Sequence, residues 1–122
     1  MKWLKLKYFY FSLVIIASAS SSTLAAQDVY IHNGFIRGND YRSWNATEKN
    51  RYAVGVIEGM LLAPLFGAPK EQLSWLEECA AGMNSRQIIA ILDRFLDDNP
   101  ARWHEYMHTL AYTAMNDACT EN

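Results

Sequence analysis

Apolar residues recur three and four apart over Ile88, Ile89, Ile91, Leu92, Phe95 and Leu96, which is the spacing of a helix with one broad buried stripe. Its start is marked just upstream. Asn84-Ser85-Arg86-Gln87 forms a capping box, in which Asn84 accepts a backbone N–H and Gln87 reaches back, while Met83 and Ile88 are placed as a hydrophobic staple. Asp97-Asp98-Asn99-Pro100 ends the helix, because the residue before proline is driven out of the α region. With Asn99 as N-cap and Pro100 at the first helical position, a second helix is predicted, carrying Trp103, Tyr106, Met107, Leu110, Ala111, Ala114 and Ala118 on one face. Two helices joined so tightly run antiparallel.

Upstream, Asn45 and Glu48 form another capping box and predict a helix over about 46–62. Asn45-Ala46-Thr47 also matches a glycosylation sequon. The first turn of this helix is polar, whereas Tyr52 to Leu62 is apolar on nearly every side, the pattern of a central helix. Gly55 and Gly59 share a face, and since each costs about 1 kcal/mol against alanine inside a helix, close approach of another backbone is expected there. Glu58 is either a buried carboxylate at a site or a structural acid that pairs with Tyr or Arg or reaches solvent. Pro64 ends the helix, and a short one over about 69–80 follows, with Leu73, Leu76 and Ala80 on one side and Gly82 as its stop. Between them Leu65-Phe66-Gly67-Ala68 is apolar but outside helical periodicity. It either projects as a partner-binding plug carried by Leu65 and Phe66, or folds back as Phe66 covers Trp75 and Leu62. The stretch 27–44 reads as a short extended piece around Val29 and Ile31, then turns packed down by Tyr30, Phe35, Ile36, Tyr41 and Trp44. The expected class is all-α, a small bundle of about four helices with a C-terminal helical hairpin.

The N-terminus sets the compartment and the charge. Lys2, Lys5 and Lys7 precede a short apolar run and then a stretch of small residues ending near Ala25 or Ala26, so residues 1–26 read as a secretory signal peptide and 27–122 as one small helical domain. The apolar run is too short for a membrane span. Without the three signal lysines, 8 basic residues stand against 13 acidic ones, a charge of −5. That argues against nucleic acid as a partner, and against an anionic membrane surface once the signal is removed. Cys79 and Cys119 each lie 20 residues from Asn99, and folding the chain there brings them to the same end of the hairpin. In an exported chain an even cysteine count favours a disulfide over two free thiols. The bond would add about 4 kcal/mol by loop closure.

His104-Glu105-Tyr106-Met107-His108 fits the HExxH pattern of zinc peptidases, in which two histidines on one helical face bind the metal and the glutamate activates water. Ala114 and Ala111 stand where the extended motif has its third histidine and its glycine, and Asp117 and Glu121 lack motif support as ligands. The expectation is therefore no catalytic residue, no metal and no cofactor.

Tyr52-x-x-Gly55-Val56-x-Glu58, then Cys79-x-x-Gly82-Met83-x-x-x-Gln87-Ile88, then Phe95-Leu96-x-x-Asn99-Pro100 and an alanine-rich helix ending at Cys119 together resemble the periplasmic immunity proteins of type VI secretion, the Rap/Tai type. The resemblance covers about 52–119. It implies a small all-helical, non-catalytic periplasmic protein that binds and blocks a peptidoglycan amidase effector, often as a homodimer. Tyr52, Gly55, Glu58, Gly59, Gln87 and Pro100 would then be structural positions. A related exported branch would share the fold without that role. The alternative from another class resembles the small periplasmic acid-stress chaperones, which expose apolar surface as carboxylates protonate.

Overall fold

The computed structural model describes residues 34–120. The expected signal peptide, the extended piece around Val29 to Ile31 with Tyr30, and Glu121 lie outside the described residues. Among those described, five α-helices follow one another: α1 (Gly38–Ser43), α2 (Ala46–Leu61), α3 (Ser74–Ala80), α4 (Ser85–Asp98) and α5 (Met107–Thr120). Short 3-10 turns lie at Ala63–Phe66, Lys70–Gln72 and Pro100–Arg102. The class is all-α, with α1 added to the four expected helices.

Local chemistry sets the starts of α2 and α4. The side chain of Asn45 accepts from Thr47 and Glu48 while the Glu48 carboxylate accepts from the Asn45 N–H at 2.9 Å, so Asn45 acts as the N-cap of α2. Asn84 and Gln87 exchange the same pair of bonds at the start of α4. Each box satisfies backbone donors that the first helical turn leaves unpaired.

The core sits between α4 and α5. Ile88, Leu92 and Leu96 of α4 are buried together with Met107, Leu110, Ala111, Ala114 and Met115 of α5. Tyr41 of α1, Ala53 and Ile57 of α2, and Leu76 of α3 close the cluster, and each fully buried large apolar side chain contributes about 1.5–3 kcal/mol. Cys79 is bonded to Cys119 with the Cα atoms 5.8 Å apart, inside the usual disulfide range. The bond holds the end of α5 against the end of α3, directly before α4 begins, so α4 and α5 run antiparallel and the hairpin is closed at its open end.

Three expectations change. The second hairpin helix begins not at Pro100 but at Met107, because the intervening carbonyls are claimed from elsewhere. The Asn39 N–H donates to the Trp103 carbonyl at 2.9 Å and the Gly38 N–H to that of Glu105 at 3.1 Å, while the Met107 N–H donates to the Ile36 carbonyl at 2.8 Å. Long-range bonding to 36–39 thus replaces the i to i−4 ladder over 103–106, leaving Pro100 in a single 3-10 turn. Gly38 is required at this crossing, since a Cβ there would lie 2.9 Å from Leu110 Cδ1 and 3.0 Å from the Trp103 carbonyl oxygen. Secondly, the turns expected before Trp44 contain α1, whose Tyr41 is buried, whereas Phe35 is fully exposed rather than packed down. Thirdly, α2 is peripheral. Only Ala53 and Ile57 of it are buried, and among the described residues an added Cβ at Gly55 or Gly59 would meet nothing within 4 Å, so no described backbone approaches them. The short helix over 69–80 is divided into a 3-10 turn and α3, and α3 ends at Ala80 with Ala81 as its C-cap in the right-handed region, without a left-handed stop at Gly82.

Candidate functional site

Large apolar side chains stand in solvent where α2 ends. Leu61 and Leu62 are 39% and 50% exposed, and Leu65 and Phe66 are 79% and 86% exposed. The backbone forces this arrangement. Pro64 lies within the 3-10 turn, which stops at Gly67 in the left-handed conformation at φ 97°, a geometry that favours glycine. The turn is fixed through bonds from the Gly67 N–H to the Pro64 carbonyl and from the Ala68 N–H to the Ala63 carbonyl, both at 3.2 Å. Phe66 therefore does not fold back over Trp75 and Leu62. Instead the Trp75 ring packs edge-on against Tyr112, with centroids 5.7 Å apart, and its Nε1–H donates to the Gln72 carbonyl at 2.8 Å. Beneath the crest, Leu65, Pro64 and Leu61 face Leu73 of the segment before α3 across a cleft of about 360 Å³ whose rim carries Lys70 and Glu77.

The zinc-peptidase pattern is dismantled by the late start of α5. His104 is exposed in the turn before the helix, and His108 lies in its first turn, stacked on Tyr106 with centroids 6.1 Å apart. The two imidazoles thus do not share a helical face. Glu105 is engaged by Arg102 through two hydrogen bonds of 2.8 Å, and the hydrogen bond from the guanidinium holds its carboxyl below the usual carboxylate range. A carboxylate held ionised by such a pair is a poor proton acceptor. No group of three His, Cys, Asp or Glu side chains able to hold a metal ion occurs among the described residues.

Of the remaining residues singled out in the sequence, Gln87 is a capping partner and Tyr52 packs with Tyr41 and Trp44 in an aromatic cluster with centroid separations of 5.6 to 5.8 Å. Burial raises the Tyr52 phenol to about 12. Glu58 is exposed on α2 and is not a buried site carboxylate. No protein-family model, curated protein or solved structure matches this chain significantly. No helix of the described residues is long and apolar enough to cross a membrane.

A second apolar surface was not legible in the sequence. Two shallow grooves, of about 440 and 400 Å³, share Val56 and His108 and run beside α2 past Gly55 and Gly59. Fully exposed Phe35 borders one, and Tyr112, 44% exposed, borders the other. Helical periodicity places Tyr112 beside the core stripe and gives no sign that α2 leaves this side uncovered.

Proposed function

We propose that this is an exported, non-catalytic binding protein that seats Leu65 and Phe66 in a groove of a protein partner. The exposure of those two side chains on a fixed turn carries the reading. An apolar crest held by short helices and a disulfide enters a partner's cleft with little ordering cost, and binding energy concentrates in a few such anchors. The resemblance to the Rap/Tai immunity proteins supplies the partner class: a peptidoglycan amidase effector, blocked in the periplasm. The excess of acidic residues is consistent with a protein partner and not with nucleic acid.

The test is Phe66→Ser, measured by calorimetric binding to purified peptidoglycan amidase effectors and by inhibition of their activity. Lost binding with unchanged melting supports the crest as the docking element, whereas full inhibition by the variant removes it. The acid-stress chaperone reading makes a different demand: suppression of aggregation of many unrelated clients in acid alone.

A further inference from the structure

A trough of about 330 Å³ runs between α4 and α5 and ends at the turn that joins them. Its volume lies at the lower end of the range for small-molecule sites, about 300–1,000 Å³. Ile91, Phe95 and Ala114 supply apolar surface, whereas Arg94, Asp98, Arg102 and Asp117 supply four charges. The turn end is fixed in place. Asn99 Nδ2 donates to the Phe95 carbonyl at 2.8 Å, and the Arg102 guanidinium is held on Glu105 by its two hydrogen bonds.

The charges select the ligand. Outside the expected signal peptide 13 acidic residues stand against 8 basic ones, yet in the trough the two signs are equal. A simple anion would meet Asp98 and Asp117 there, and a simple cation would meet Arg94 and Arg102. Arg102 is already satisfied, since the Glu105 hydrogen bond, and with it the charges of Glu105 and Asp117, raise its guanidinium above the ordinary value. Arg94 and Asp98 are not. Both are exposed, and neither forms an ion pair among the described residues. They stand one turn apart, about 6 Å along the axis of α4. Asp98 is the last residue of that helix, where the carbonyl end favours a cation. An ammonium is therefore drawn to Asp98 and a carboxylate to Arg94, with an apolar group over Ile91 and Phe95.

We propose that this trough binds a zwitterionic amino acid with an apolar side chain. It shares no residue with the crest at Leu65 and Phe66, so the inference is independent of the crest and its partner.

A two-dimensional amide NMR titration of the purified, disulfide-intact protein tests it, with L-leucine as the probe. Its two single-charge relatives are isoamylamine, which lacks the carboxylate, and isocaproate, which lacks the ammonium. L-leucine should shift the amides of residues 94–99 and 114–118 saturably, and each relative should bind at least about tenfold more weakly, because each loses one charge-assisted contact. Arg94→Gln should weaken L-leucine and isocaproate but not isoamylamine. Asp98→Asn should weaken L-leucine and isoamylamine but not isocaproate. Both positions are exposed, so far-UV circular dichroism of the variants should match that of the original protein. Absence of saturable shifts at these amides at high millimolar L-leucine overturns the proposal, as does a single-charge relative that binds as tightly as L-leucine. Equal binding of glycine overturns the assignment of the apolar side chain to Ile91 and Phe95.

Discussion

Replacing both Cys79 and Cys119 by alanine removes the bridge without leaving a free thiol, and the structure allows the loss to be estimated. The bonded residues are 40 apart in sequence, for which the loop-closure model gives about 4 kcal/mol of stabilisation through the unfolded chain. Domains of this size have roughly 5–15 kcal/mol in total. For a domain of 60–100 residues each kcal/mol shifts Tm by about 4–8 °C, so the double variant should melt some 15–30 °C lower. The loss should also be local in its first effects. α3 is seven residues long and contributes Leu76 as its one fully buried side chain, so its amides should lose hydrogen-exchange protection before those of α4. Thermal circular dichroism read together with exchange mass spectrometry is the assay. A Tm drop below about 5 °C, or equal loss of protection across α3 and α4, would refute the idea that α3 is held chiefly by the covalent tether.

Leu92→Ala should cost about 2–5 kcal/mol by opening a cavity between α4 and α5, whereas Leu65→Ala, on the crest, should stay within about 0.5 kcal/mol, both read from urea unfolding. Because Arg102 depresses the Glu105 carboxyl in the folded state, the stability from this pair is present above the unfolded-state value of Glu105 and lost as pH falls through its folded value. Glu105→Gln should accordingly flatten that part of the acid limb of a Tm-against-pH profile, and an unaltered limb would show the pair contributes nothing. Tyr52, raised by burial from its ordinary value near 10 to about 12, contributes in the opposite direction: its share is complete below the unfolded value and lost as pH rises through the folded one. Its phenolate absorbance should therefore appear late in an alkaline titration.

What the sequence disclosed was local chemistry and the pairing of the hairpin. Asn45, Glu48, Asn84 and Gln87 announced their helices because a capping box involves four consecutive residues and no others. The cysteines were legible because the reversal near Asn99 needs only the proline beside it. Pro100 misled for the same reason: it is well suited to begin a helix, but the donors of Gly38 and Asn39, more than 60 residues away, take the carbonyls of Trp103 and Glu105. No window of sequence contains that competition. The apolar run from Tyr52 to Leu62 was likewise ambiguous, since a helix apolar on most sides is written the same way whether its second face is covered by its own chain or left uncovered. Exposure of Leu65 and Phe66 was one of two readings, decided by the turn that ends at Gly67.

The bonds that tie 36–39 to 103–107 have a consequence for the order of events during synthesis. The side chain of Arg37 donates to the His104 carbonyl and to the Tyr106 hydroxyl, sequence separations of 67 and 69. A nascent chain that has reached only the end of α4 has neither the carbonyls that anchor α1 nor the cysteine that anchors α3. Contacts of this range close slowly and late. Such a chain remains threadable until its last helix has emerged, a property that fits the export proposed above.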